Sequence, residues 1–176
     1  MNDKLFEIFK KYTKQTSFGS NDDVISERIK HWEFDGELPK MYFDVLSVFG
    51  YSSGHMNIFL KFGPDRNHFI YNVCSYQKDA SYLQLSNNIM PFKSMENGDV
   101  YCYNLKDVDN STDYEPIYLI FKSELSKLTS GQKPNYQLDP KEYENNNVPY
   151  FIKTKYSNLL EWVEDGLNNN WDHGEK

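Results

Sequence analysis

Cysteine is scarce in this chain, and runs of apolar residues are short. The 176 residues include two cysteines, Cys74 and Cys102, and neither stands in a spacing typical of a metal site. A chain of this length buries enough surface to fold without disulfide bonds, so two reduced thiols are expected. No window is apolar over the roughly 20 residues needed to cross a bilayer. The first residues also lack a basic region followed by an apolar run, so we expect no signal peptide, no membrane partner and a cytoplasmic location.

Positive charge is also in short supply. Lys and Arg total 19 against 26 Asp and Glu, which gives a net charge of -7 and a pI near 5.1. Proteins that bind nucleic acid gain affinity by neutralising phosphates with basic side chains, and this composition argues against such a role. An acidic chain of this kind fits a partner that is itself basic.

Motifs for catalysis and metal binding are missing as well. The sequence has no glycine-rich phosphate loop and no Gly-x-Ser-x-Gly elbow. None of the four histidines is paired with another at the i, i+4 spacing of a helical metal site. They are His31, His55, His68 and His173. His55 and His68 could face each other across a hairpin, but a metal site needs three or four ligands. Cys102 stands between two tyrosines in a predicted strand, which favours an inert core thiol. We therefore predict no catalytic residues, no metal, no cofactor and no enzymatic activity.

Aromatic residues are plentiful, at 16% of the chain, with 14 Tyr and 12 Phe. A stretch rich in apolar and aromatic residues lies in the middle of the chain, from Ile89 to Leu105. Pro91 interrupts its first half, which favours a sheet edge or a bulge because proline cannot donate to a strand ladder. Asn97-Gly98 predicts a tight turn, since both residues accept a positive φ. The segment from Asp99 to Leu105 carries bulk on both faces, so the sequence predicts a hairpin whose second strand is central in a sheet.

The rest of the chain shows helices, then strands, then a helix. Amphipathic spacing predicts the helices and a continuous apolar run predicts a buried strand. The predicted helices cover 5–12, 24–32, 39–49 and 153–167, with a short one at 124–128, and the further predicted strands cover 56–62 and 117–121. This order predicts a single α+β domain with a mainly antiparallel sheet, flanked by N-terminal helices and a C-terminal helix. Its core is expected over about 22–167 within 1–176, followed by a polar tail at 168–176.

Negative charge is concentrated after the predicted hairpin. Between Glu96 and Pro116 the sequence has six acidic residues and one basic residue, which leaves five net negative charges. The candidate binding residues in this region are Asp99, Asp107, Asp109, Asp113, Tyr114 and Glu115. One interpretation is a solubilising loop, because charge runs usually face water. The other is a surface that imitates phosphate and binds a basic protein, with Tyr114 as an anchor and Asp99 near its edge. The irregular connection at 132–147, with its tyrosines, is an alternative binding surface.

Three stretches resemble the SUKH superfamily, which includes fungal cell-wall-assembly regulators and many bacterial immunity proteins. The first is Leu38-Pro39-Lys40-Met41-Tyr42-Phe43-Asp44-Val45-Leu46, which resembles the family's Leu-Pro helix start. The second is the Pro-Phe, Gly-Asp, aromatic hairpin of 89–105. The third is the strand from Pro116 to Phe121 together with the helix ending at Leu167.

The resemblance implies a binding protein without a catalytic centre. Bacterial members bind and neutralise a cognate toxin domain, often a nuclease, and a basic toxin face would suit the acidic segment of this chain. Fungal relatives suggest a different class, an intracellular regulatory or scaffold module. The chain has no long disordered flanks of the kind that a signalling hub would carry, which favours the immunity protein.

Overall fold

The computed structural model describes residues 3, 4, 7, 35–42, 44, 85–95, 97–128 and 150–169 of the chain. These residues form an α+β domain around a four-stranded antiparallel sheet, as the sequence predicts. The elements are β1 (Ile89–Ser94), β2 (Val100–Asn104), β3 (Ile117–Ile120), α1 (Lys122–Leu125), β4 (Phe151–Lys153) and α2 (Leu159–Asn168). Residues 40–42 and 44 are also helical, and these four residues are called the 40–44 helical segment; residues 3, 4 and 7 are helical as well. The predicted elements at 24–32 and 56–62 lie outside the described residues, as do Cys74 and the four histidines.

The predicted hairpin at 89–105 is confirmed. β1 and β2 pair antiparallel, and the turn between them closes through hydrogen bonds from Met95 N–H to the Asp99 carbonyl (2.8 Å) and from Gly98 N–H to the Met95 carbonyl (3.0 Å). Gly98 has a φ of +89°, a conformation that L side chains rarely adopt. The prediction from Pro91 is also confirmed, because β1 is one of the two outer strands of the sheet that the structure describes and its register shifts between Pro91 and Lys93.

The register shift in β1 directs an aromatic side chain into the core. Phe92 is the extra residue, and its ring packs 4.8 Å from Tyr103 and 5.5 Å from Trp162, measured between ring centroids. Tyr42 joins the same face, at 5.8 Å from Tyr103, and Tyr101 lies at 5.4 Å from Trp162. Tilted and edge-on pairs of this kind add stabilisation beyond the burial of the rings. The aromatic richness of the sequence therefore serves to dock the 40–44 helical segment and α2 on one face of the sheet.

The opposite face of the sheet is buried too, which explains why every residue of β2 is buried. Its core cluster comprises Ile89, Val100, Cys102, Tyr118, Ile120, Leu125, Tyr150 and Phe151. The Cys102 thiol is fully buried, and this burial raises its pKa well above the ordinary value. Because the thiolate is the reactive form, the structure supports the interpretation of Cys102 as core.

Two of the predicted helices have wrong boundaries. A single helix was expected over 153–167, but β4 occupies Phe151–Lys153 and α2 begins only at Leu159. Asn158 is the N-cap of α2 and accepts a hydrogen bond from Glu161 N–H at 3.1 Å. β4 forms because its backbone pairs with β3, a contact that helical spacing does not reveal. The short helix expected at 124–128 lies two to three residues earlier, as α1 at Lys122–Leu125.

No helix among the described residues is long and apolar enough to cross a bilayer.

Candidate partner-binding surface

The six predicted binding residues lie at opposite ends of β2. Asp99 precedes the strand, whereas the other five belong to residues 107–115, here called the 107–115 turn, which follows it. Five strand residues span roughly 17 Å at the usual rise per residue. The expectation that Asp99 lies near the edge of the acidic segment is therefore wrong. The physical reason is that β2 is extended, so residues close in sequence on either side of it are far apart in space.

Asp99 instead closes the hairpin turn and caps α1. One carboxylate oxygen accepts a hydrogen bond from Lys122 N–H at 2.9 Å, and the other accepts one from the Asn97 side chain at 2.7 Å. The Asp99 residue is 9% exposed. These contacts satisfy a backbone donor at the start of a helix, a role that is structural and leaves little of the carboxylate available to a partner.

Asp107 ends a chain of hydrogen-bonded polar side chains whose other members are buried. Its carboxylate accepts hydrogen bonds from the Asn104 amide at 2.9 Å and from the Tyr118 hydroxyl. Asn104 in turn accepts one from the Asn88 amide at 2.8 Å. The chain of hydrogen bonds links the start of β1, the end of β2 and the middle of β3. Asp107 is half-buried, and its carboxylate serves the interior of the protein more than the surface.

Asp109 organises the exposed part of the 107–115 turn. Its backbone pairs with Tyr114 in both directions, at 2.7 and 3.1 Å, which closes a loop of six residues. Its carboxylate accepts hydrogen bonds from the Ser111 backbone N–H at 3.0 Å and from the hydroxyls of Ser111 and Thr112. The bonds from Ser111, followed by those from Thr112, lower the pKa of Asp109. Asp113 completes the loop with a φ of +55°, which Asp tolerates better than most residues.

Asn110 ties the turn to the chain that leads into the 40–44 helical segment. Its side-chain oxygen accepts a hydrogen bond from Lys40 N–H at 2.9 Å, and its amide donates to the Leu38 carbonyl at 2.9 Å. Its own backbone N–H donates to the Glu37 carboxylate at 3.2 Å. The role of Asn110 is not predicted from the sequence, in which the acidic side chains of this segment are the prominent feature. An Asn inside an acidic run, able both to donate and to accept, was the available signal.

Glu115 is not a surface residue, which corrects the prediction that it belongs to an exposed acidic face. It is 1% exposed, and one of its carboxylate oxygens accepts a hydrogen bond from Met41 N–H at 2.6 Å. Burial raises its pKa from 4.5 to about 7, against the opposing effect of hydrogen bonds from the backbone of Met41 and Tyr42. The carboxyl caps the first turn of the 40–44 helical segment, where backbone N–H groups have no partner within the helix.

Tyr114 is half-buried and lies beneath a lysine. The Lys153 ammonium stands 5.0 Å from the centre of the Tyr114 ring and also donates a hydrogen bond to its hydroxyl. A cation over an aromatic face is weakly stabilising at an exposed site. Tyr114 can therefore contribute ring surface to a contact, next to the exposed carboxylates of Asp109 and Asp113.

The charge around the turn is more balanced than the sequence suggests. Of the six acidic residues counted there, only Asp109 and Asp113 are exposed among those that the structure describes. Exposed neighbours that touch the turn or its ends are Glu37, Lys40, Lys106 and Lys153. The candidate surface is thus Asp109, Asp113 and Tyr114, set among residues of both signs. The alternative surface at 132–147 lies outside the described residues.

Within the described part of the chain, no group of three or more His, Cys, Asp or Glu side chains could hold a metal ion. No family model, no curated protein and no solved structure matches this chain.

Proposed function

We propose that this chain is a cytoplasmic immunity protein that binds a cognate toxin domain without catalysis and blocks its activity. The proposal combines the SUKH-like motifs of the sequence with the geometry of the 107–115 turn. The contact surface is formed by Asp109, Asp113 and Tyr114, and the toxin presents a basic face, as a nuclease does where it holds nucleic acid.

The observation that carries the proposal is that these exposed carboxylates stand on a turn held from three directions. The Asp109–Tyr114 bridge closes it, Asn110 joins it to the chain at 38–40, and Glu115 anchors its end. A loop that is already ordered loses less conformational freedom on binding than a free segment does. A solubilising loop has no need of such fixation, so the geometry favours a recognition role.

The mixed charge of the surrounding surface indicates how the contact would gain its energy. Two exposed carboxylates give modest long-range steering, and nearby lysines reduce it further. The affinity would therefore arise at short range, from carboxylates that meet basic side chains in the interface and from the Tyr114 ring. Truncating one partner of a desolvated charge pair costs roughly 2–5 kcal/mol.

The test uses the toxin domain that the proposal expects a neighbouring gene to encode, inactivated by mutation and purified. The double variant Asp109→Asn, Asp113→Asn removes two charges while keeping side chains that accept hydrogen bonds and tolerate the turn. We expect its dissociation constant to rise at least tenfold, which corresponds to about 1.4 kcal/mol, and protection of cells that express the active toxin to weaken.

A matched control removes two charges elsewhere. Glu124 and Glu164 form surface ion pairs with Lys127 and Lys4, at 2.5 and 2.8 Å, and lie outside the turn. The variant Glu124→Gln, Glu164→Gln should bind and protect as the parent does. Equal losses in both double variants would mean that only net charge matters. Full protection by the turn variant would reject this surface, and lack of any complex with the parent would reject the proposed function.

A further inference from the structure

Glu115 places an ionisable group where the 107–115 turn meets the 40–44 helical segment. One carboxylate oxygen is 2.6 Å from Met41 N, and the other is buried without a hydrogen-bond partner among the described residues. Glu115 lies 74 positions from Met41 in the sequence, so their hydrogen bond joins two parts of the chain that are distant in sequence. A buried carboxylate that is only half satisfied is costly in its charged form.

Burial, followed by the charges of Asp113 and Asp44, disfavours ionisation of Glu115, whereas the backbone donors of the helical segment favour it. On the helical segment, the Tyr42 backbone N–H donates to the carboxylate and the Asp44 carboxylate opposes its charge. On β2, the Tyr103 phenol is fully buried, and burial followed by the charge of Glu115 raises its pKa. On the turn itself, Asp113 is a second carboxylate that opposes the charge. The nearby Lys40 side chain is exposed to water.

We propose that the Glu115 carboxyl is a proton-operated clasp, which holds the 107–115 turn against the 40–44 helical segment when protonated and loosens this contact when ionised. In the protonated form the carbonyl oxygen still accepts the Met41 hydrogen bond, and no buried charge is present. On ionisation the proton leaves to water, and the carboxylate is drawn toward solvent because burial penalises its charge. The proposal is independent of any partner and therefore of the proposed function.

The test is amide hydrogen exchange of the free protein, followed by NMR and corrected for the intrinsic effect of pH on exchange. We expect the protection factor of the Met41 amide to fall about tenfold between about pH 6 and about pH 8. The side-chain carboxyl of Glu115 should titrate in the same range, with a midpoint near 7. In Glu115→Gln, whose side chain imitates the protonated carboxyl, Met41 protection should be the same at both pH values.

Glu161→Gln is the matched control. Glu161 is exposed and also accepts a backbone hydrogen bond, from Ser157 N–H at 2.7 Å, but at the start of α2. In this variant the change in Met41 protection should persist. A parent protein with equal Met41 protection at both pH values overturns the clasp, and so does a change that survives in Glu115→Gln. If that variant does not fold, the titration of the parent still decides.

Discussion

The Glu115 carboxylate accepts a hydrogen bond from the backbone N–H of Met41 at 2.6 Å, across 74 residues of sequence. This contact supplies from a distant turn the cap that a helix start usually takes from its own neighbouring residues. It also explains why an acidic residue in a charged run is buried. The turn and the helical segment depend on each other, so changes in one should be felt in the other.

Asn110→Ala should destabilise the protein by about 1–2 kcal/mol, because it removes the bonds to Lys40 N–H and the Leu38 carbonyl. Urea unfolding of the parent and the variant measures the difference. Asn168→Ala is the control, since Asn168 is exposed near the end of α2 and the change should have a small effect. Equal stability of the Asn110 variant and the parent would show that the turn does not support the helical segment.

Gly36→Ala should cost more stability than Gly98→Ala. Both glycines have positive φ, +135° and +89°, but a Cβ at Gly36 would lie 2.6 Å from the Leu105 backbone. A Cβ at Gly98 would lie 2.6 Å from the Lys122 side chain, which is flexible and can move aside. We expect about 1–2 kcal/mol for Gly98→Ala and a larger loss for Gly36→Ala, from thermal or urea unfolding. The reverse order would mean that the chain near Gly36 relaxes easily.

The stability contributed by Glu115 should fall as the pH rises. Burial raises its pKa from 4.5 to about 7, so between these values the folded chain binds more protons than the unfolded chain does. The stabilisation by Glu115 is fully present below pH 4.5 and is lost as the pH rises through 7. The total loss is about 3 kcal/mol. The measurement is the free energy of unfolding of the parent minus that of Glu115→Gln, at several pH values. A difference that is constant from pH 4.5 to above pH 7 would contradict the raised pKa.

Asn158→Ala should destabilise α2 by about 1 kcal/mol, because the Asn158 side chain accepts the Glu161 N–H bond at the start of the helix. Asn158→Asp keeps an acceptor and a favourable charge at the helix start, so it should retain most of the stability. Circular dichroism during thermal unfolding compares the two variants. Loss of stability in both to the same extent would indicate a role for the Asn158 amide other than capping.

Local chemistry made the hairpin predictable. Pro91 indicated an edge or bulge, Asn97-Gly98 a turn, and the alternation after Asp99 a central strand, and all three are confirmed. The boundary of α2 was missed although Asn158, followed three residues later by Glu161, is the pattern of a helix start. β4 could not be inferred, because a strand of three residues is defined by the neighbour it pairs with.

The sequence by itself determined the hairpin, the buried strand β3 and the use of aromatic rings as core, since these depend on residues close together in the chain. Only the tertiary structure decided which acidic residues face water. Asp109 and Asp113 are exposed, whereas Asp99 and Glu115 satisfy backbone donors at helix starts 23 and 74 residues away. In the sequence, the acidic residues that become exposed and those that become buried look alike, because each counts as one negative charge. The role of each carboxylate is set by the donors that folding brings to it, and those contacts join distant parts of the chain.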